Sequence, residues 1–187
     1  SVKELLSFGI QPDILLLRAE APVPEEIKAK ISQFCNVATK SVASCPDLKT
    51  VYEVPLVLHE EGVDQSILDH MNVSAKKADL SGWKTIVERF KNPKGAVSIG
   101  IVGKYVNLIE SYKSINEALI HAGIACGVKI NFSYIDSEEI EQSGTSRLAG
   151  LDGILVPGGF GERGTAGKIE TVKYARENNI PFCRVRS

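Results

Sequence analysis

Four cysteines, one tryptophan and one methionine in 187 residues leave little material for several kinds of chemistry. Cys35, Cys45, Cys126 and Cys183 form no C-x-x-C pair, which argues against a zinc ribbon and a thioredoxin motif. They read as reduced thiols in a cytosolic protein. The histidines, His59, His70 and His121, are scattered along the chain. His59-Glu60 opens like a zincin helix, but Val63 stands where the second histidine belongs, so no metal ligand set is expected. No apolar run approaches the ~20 residues that span a bilayer. Ser1 opens straight into a charged amphipathic segment, so no secretory leader is expected and the reading is cytoplasmic. Excess charge is missing as well. With 22 Lys and Arg against 23 Asp and Glu, the net charge of −1 gives no reason for a nucleic-acid or membrane partner. Internal repeats and low-complexity tracts are absent.

What is present is a core. At 43% hydrophobic and 24% charged, the chain can bury one large domain or parts of two. Ser1 to Phe8 reads as a helix ended by Gly9. Ile14 to Leu17 is a continuous apolar run of the buried parallel-strand type, with Arg18 where the strand should end. Pro24, Glu25 and Glu26 suit the start of a helix, and Ile27, Ile31, Phe34 and Cys35 mark its expected apolar face. Val42-Ala43 is a short strand closed by Cys45-Pro46-Asp47. Tyr52 to His70 reads as two helical pieces broken near Gly62, and Trp83 to Phe90 as another helix. Asn92-Pro93-Lys94-Gly95 is the clearest breaker cluster and is taken as a linker.

Beyond it the alternation is regular. Ala96 to Val102 is a strand ending at Gly103. Ser114-x-x-Glu117 reads as a capping box opening a helix over Ile115, Ala118, Leu119 and Ala122, with Gly123 as its end. Val128 to Ile135, Ile154 to Val156 and Ile180-Pro181-Phe182 are further strands. Strands alternating with helices predict α/β units with parallel sheets and right-handed crossovers.

The most informative stretch is Gly150 to Gly164. The apolar run Ile154-Leu155-Val156 feeds a glycine-dense turn, and a helix follows with Ile169, Val172 and Ala175 on its expected inner face. Such a turn at the edge of a parallel sheet lets backbone N–H groups face a ligand and cradle negative charge. The charge is either a phosphate or the oxyanion of a tetrahedral intermediate. A plain tight turn is the simplest alternative. Gly159-x-Gly161-x-x-Gly164 also matches the dinucleotide fingerprint, with Arg184 in place to read a 2′-phosphate of NADP. Against this, two strands of the unit precede the motif, and the fingerprint belongs to the first. Gly161 to Lys168 resembles a Walker A loop but has Glu162 where its first glycine belongs and Ile169 in place of its Ser or Thr. Gly144 to Leu148 lacks the second glycine of a nucleophile elbow. Lys30 and Phe34 lie one helical turn apart, readable as a snorkelling lysine beside a core ring. Arg18 and Asp47 each follow a strand, either as solvated charges or as a pair where α/β folds hold nucleotides. Lys104-Tyr105 after Gly103 is a strand-end loop or a site wall.

Leu155 to Gly164, with Tyr174-Ala175-Arg176-Glu177-Asn178-Asn179-Ile180-Pro181-Phe182 behind it, resembles the CTP synthases. So do Ser1 to Leu6, Gly9 to Asp13 and Val102-Gly103-Lys104-Tyr105, and the likeness runs from Ser1 to about Phe182. It implies a P-loop-type amidoligase domain over residues 1–91, a linker at 92–95 and a flavodoxin-like class I glutaminase domain from 96 to 187. It implies an enzyme that uses ATP and Mg2+ to phosphorylate the 4-oxygen of UTP. Ammonia drawn from glutamine displaces the phosphate to give CTP, and the enzyme works as a homotetramer. Carried over by position, Arg18, Asp47 and Leu48 fall at ATP contacts, and Lys30 at the UTP and CTP site. Gly158, Gly159 and Phe160 fall in the glutamine loop, where the Gly159 N–H serves the oxyanion hole. The family's P-loop and magnesium carboxylates have no counterpart in the sequence, nor do the glutaminase histidine and glutamate. Arg186 occupies the place of the nucleophilic cysteine, and Cys183 is three residues early and no substitute. The expectation is a fragment across the junction of the two domains, ending in a truncation or frame shift and inactive alone. A non-catalytic module that docks with full-length subunits is the alternative of another class.

Overall fold

The computed structural model describes residues 2–104, 109–159 and 163–185. The chain divides into two compact units, residues 1–87 and 88–187. The first unit contains α1 (Val2–Ser7), β1 (Leu15–Ala19), α2 (Glu25–Cys35), β2 (Val42–Pro46), α3 (Val54–Glu60) and α4 (Val63–Met71). Helix α5 (Ser81–Lys91) carries the division within it. The sequence reading puts the linker later, at 92–95. There the Lys94 N–H already donates to the Gly127 carbonyl, and the Lys129 N–H to that of Gly95.

In the first unit β1 and β2 pair in parallel, Leu15 opposite Val42 and Ala19 opposite Pro46. The apolar run of β1 is not buried throughout, because alternate residues face outward and Leu16 is 51% exposed. A larger departure concerns α2. Ile27 and Phe34 face outward, Phe34 being 89% exposed, while Lys28 and Ser32 are buried. The reason is polar. Lys28 Nζ donates to Glu25 Oε1 at 2.8 Å and to Glu61 Oε2 at 2.7 Å. Glu61 Oε2 also accepts the Ser44 N–H at 2.7 Å, and Ser44 Oγ accepts the Val23 N–H. Ser32 Oγ donates to the Val37 carbonyl. A buried ammonium is tolerable only when paired, and here the pairing ties α2 to β2 and to the bend between α3 and α4. Burial alone would lower the Lys28 pKa, but the hydrogen bonds to Glu25 and Glu61 prevail and hold it above its ordinary value. Burial would likewise raise that of Glu61, but the bonds from Lys28 and the Ser44 amide hold it below.

The second unit contains β3 (Ala96–Gly103), α6 (Lys113–Cys126), β4 (Lys129–Asp136), α7 (Ser137–Ser143), β5 (Gly153–Val156), α8 (Thr165–Glu177) and β6 (Phe182–Arg184). Its strands run parallel in the order β4-β3-β5-β6. Val102, Ile135, Ile140, Leu148, Ile154, Val156 and Ala175 form the core, and every residue of β5 is buried. Short buried strands between helices are the expected outcome of parallel pairing.

Several boundaries differ from expectation. Ser114 lies inside α6, whose N-cap is Tyr112, so it makes no capping box. Gly123 does not end that helix. It lies mid-helix because a Cβ there would stand 2.7 Å from the Val128 carbonyl oxygen, and the helix ends at Gly127, which adopts φ +70°. Ala118 and Ala122 are exposed, and Gly123 and Ile124 face inward instead. Ile180 and Pro181 precede β6 rather than belonging to it, although the Pro181 carbonyl accepts the Ile154 N–H. Helix α7 was not anticipated. Asp136 caps it by accepting the Glu138 N–H at 2.8 Å.

Replacing Glu61 by Gln should destabilise the first unit by roughly 2–3 kcal/mol. That is just below the cost of breaking a fully buried pair, since the Glu61 side chain keeps 24% exposure. Its carboxylate contributes stability above the ordinary carboxylate pKa and loses it as pH falls through the depressed value. The Lys28 share is present below the ordinary ammonium pKa and is lost as pH rises through the raised one. Urea midpoints across pH, followed by circular dichroism, should fall more steeply on the acid side for the native chain than for Glu61→Gln.

Candidate functional site

In the second unit the chain reverses direction across the sheet at β3. One crossover carries it from β3 out to β4, and the next returns it past β3 to β5. The crevice at the carboxyl ends of β3 and β5 is therefore the topological switch point, where open α/β sheets hold ligands. Three segments meet the crevice. Gly103 ends β3, and a Cβ there would strike the hydroxyl of the buried Tyr112. Pro157, Gly158 and Gly159 follow β5, with Pro157 packed near Gly103. Gly164 then begins α8 as its N-cap in the left-handed region, at φ +71°.

The positive φ expected of the turn is found at Gly164. Gly158 and Gly159 are not in that region. Phe160 and Gly161, also singled out in the sequence, lie outside the described residues, as do Tyr105 and Arg186. The inner face of α8 likewise differs from expectation. Gly167, Thr171 and Ala175 are buried, whereas Ile169 and Val172 are exposed. A glycine is required at 167 because any Cβ would collide with the Ser137 carbonyl. The Gly167 N–H donates to Glu141 Oε1 at 3.1 Å, and Thr171 Oγ1 returns to the Gly167 carbonyl at 2.7 Å. Close contact with α7 thus sets where α8 begins.

Lys168 follows at the cleft beside this turn. Its Nζ lies 3.5 Å from where a Cβ on Gly159 would stand. Burial first, then the charges of Lys104 and Arg184, push its pKa below the ordinary lysine value. The sequence reading gave Lys168 only a place in a failed Walker A match. Its real neighbours come from β3 and β6, which no linear motif brings together.

In the first unit Arg18 and Asp47 do meet at the carboxyl ends of neighbouring parallel strands. Arg18 Nε lies 3.4 Å from Asp47 Oδ1, with side-chain exposures of 87% and 57%. An ion pair this open contributes little to stability. Leu48 is half-buried beside it. Lys30 is exposed on the outer side of α2, as is Phe34, so that phenylalanine is not the core ring the spacing suggested. A separate hollow of about 780 Å3 includes His59, Asp64, Gln65 and residues 75–78. His59 Nδ1 lies 2.6 Å from Asp64 Oδ2, and that bond holds the Asp64 carboxyl below the usual range. Among the described residues no group of three His, Cys, Asp or Glu could hold a metal ion. No helix among them is long and apolar enough to cross a membrane.

Two family models match the chain: CTP synthase N-terminus over residues 1–73 and glutamine amidotransferase class-I over residues 107–184. CTP synthase of Geotalea uraniireducens is 55% identical over 184 residues, covering 97% of this chain and 34% of its own length. That of Oleidesulfovibrio alaskensis is 54% identical over 183 residues, covering 97% and 33%. The chain belongs to the CTP synthase family. It spans about a third of the length of these relatives. Its two parallel-sheet units correspond to the family's N-terminal and glutaminase architectures. A solved Trypanosoma brucei CTPS glutaminase domain with bound acivicin is 42% identical, covering 47% of this chain and 35% of its own, with a TM-score of 0.43.

Replacing Gly167 by Ala should destabilise the second unit by about 1–3 kcal/mol, the usual range for overpacking. Thermal unfolding of the variant against the native chain measures it.

Proposed function

We propose that this chain supplies the junction between the amidoligase and glutaminase parts of a CTP synthase. In this reading residues 1–91 belong to the amidoligase domain, 92–95 link, and 96–187 belong to the glutaminase domain. The observation that carries it is the position of Pro157-Gly158-Gly159. They sit at the carboxyl end of β5, at the switch point of the parallel sheet, inside the segment matched by the amidotransferase model. There the backbone amide of Gly159 serves the oxyanion formed when a thiolate attacks the carboxamide of glutamine, with Gly158 and Phe160 shaping the loop. Oxyanion donors of this kind are worth ~3–4 kcal/mol of barrier. Arg18, Asp47 and Leu48 contact the adenine of ATP, and Lys30 serves the UTP and CTP site. The placement of Arg18 beside Asp47 at neighbouring strand ends supports the first assignment.

The reaction of the whole enzyme is amination of UTP to CTP, with ATP as phosphoryl donor and glutamine as nitrogen source, in a cytoplasmic homotetramer. ATP supplies the leaving group on the 4-oxygen of UTP. In this reading residues 1–187 by themselves release no ammonia from glutamine. Arg186 stands where the resemblance to the family places the nucleophilic cysteine. Without a thiolate and its histidine there is no acyl-enzyme step.

A chimera tests the assignment. Residues 1–182 replacing the matching segment of the Geotalea uraniireducens enzyme should give CTP from UTP, ATP and glutamine. In that chimera Arg18→Ala should raise the KM for ATP. Gly159→Pro, which deletes the N–H, should lower glutamine-dependent synthesis by about 10²–10³-fold while ammonia-dependent synthesis persists. Equal losses with glutamine and ammonia, or no loss with either, would overturn the oxyanion assignment. Ammonia release from glutamine by the unmodified chain would overturn the statement that it is inert.

A further inference from the structure

Helix α2 is joined to its neighbours through one largely buried charge network. A single oxygen, Glu61 Oε2, accepts from Lys28 Nζ at 2.7 Å and from the Ser44 N–H at 2.7 Å. Ser44 Oγ in turn accepts the Val23 N–H at 2.9 Å, just before Pro24 opens the helix. Glu61 stands at the bend between α3 and α4. Its carboxylate therefore ties together the start of α2, the middle of β2 and that bend. The Lys28 side chain keeps 7% exposure and that of Glu61 24%. Ser32 bonds the Val37 carbonyl and the Thr39 hydroxyl, both in the segment leaving α2, so it secures the far end of the helix.

The network fixes the rotation of α2 about its own axis. Residues two apart on a helix point about 200° apart. An inward Lys28 therefore sends Lys30 outward, where it is exposed. A lysine side chain is a flexible stem whose ammonium goes where the helix aims it. A buried charge must keep its partner, so the pair holds α2 at one rotation where apolar packing tolerates several. The strand that Glu61 grips also runs on to Asp47 and Leu48, and Asp47 meets Arg18.

We infer that Lys28 and Glu61 are positioning residues for the UTP and CTP site, their ion pair holding α2 at the rotation that presents Lys30 to the nucleotide. The inference rests on the role proposed above for Lys30 and adds two residues that act through it. A neutral Gln at position 61 still offers an oxygen to the Ser44 N–H but loses the charge that holds Lys28. The defect should therefore fall on UTP and CTP, and not on ATP or glutamine.

The test uses the chimera with the Geotalea uraniireducens enzyme. Glu61→Gln should raise the KM for UTP, and the CTP concentration that half-inhibits, by about fivefold or more, part of what one charge-assisted hydrogen bond contributes. The kcat at saturating UTP and the KM values for ATP and glutamine should stay within about twofold. Lys28→Met combined with Glu61→Gln leaves neither charge unpaired, so it should regain stability and keep the raised KM for UTP. A role confined to folding predicts the reverse, with a lower kcat from less folded enzyme and every KM unchanged. Lys30→Ala supplies the reference. If Glu61 acts through Lys30, adding Glu61→Gln to Lys30→Ala should raise the KM for UTP no further. Additive effects in that cycle, or an unchanged KM for UTP in both charge-pair variants, would overturn the inference and leave Lys30 in its site. An unchanged KM for UTP in Lys30→Ala would overturn the Lys30 assignment, and this inference with it.

Discussion

The backbone-to-backbone approach of α8 to the start of α7, at Gly167 and Ser137, is the constraint on which the second unit's site depends. A helix that follows a strand through a glycine turn has no fixed starting point of its own. Here that point is set by the missing Cβ of Gly167, by the Glu141 carboxylate on its amide, and by Thr171 closing back on its carbonyl. Gly164 enters α8 in the left-handed region, and Pro157 after β5 packs beside Gly103. Reactive geometry at a backbone amide needs this kind of external support, because the amide has no side chain to steer it.

The first unit uses a different device for the same purpose. Its α2 helix is anchored by a charged side chain, with Lys28 spanning Glu25 and Glu61 while the Glu61 carboxylate also holds the Ser44 amide of β2. Buried ion pairs add little net stability over an apolar core, but they fix which residues face which. Here the pairing turns Ile27 and Phe34 outward, on the side that also carries Lys30. The outer surface of α2 is thus apolar and basic at once, and the nucleotide role proposed for Lys30 falls on that surface.

Much of this architecture was legible in the residues. The strands at Ala96, Val128 and Ile154 carry β-branched apolar runs bounded by glycine, and the break at Gly62 separates two helices as its flanking pattern indicates. The faces of helices were less legible. Periodicity placed Ile27, Phe34, Ile169 and Val172 inside, and each is exposed, because buried lysine, serine, threonine and glycine took their places. A pattern that counts apolar residues cannot see a satisfied Lys28 or a helix that packs through Gly167. The glycines were also assigned by grammar alone. Gly123 read as a stop and Gly164 with Gly167 as pieces of phosphate loops, whereas all three mark close contacts, Gly123 and Gly167 against backbone and Gly164 against the Ser137 side chain. Arg18 beside Asp47 could be anticipated, since each follows a strand. Lys168 beside Arg184 could not, since their proximity depends on how β6 pairs with β5.

All-parallel pairing has a further consequence for how the chain reaches its fold. No strand here can bond to its neighbour until a whole crossover has been made, so every ladder joins distant parts of the chain. Strand β3 bears this most heavily. It emerges during synthesis with two bare edges, gains β4 only after α6, and gains β5 only after α7. Its core-facing end, Ile101 and Val102, is wholly inaccessible in the finished unit and wholly uncovered before then. The hazard of aggregation is therefore set by the interval in which a nascent β3 waits for partners, and a chaperone that shields that one strand would protect the unit better than any gain in its final stability.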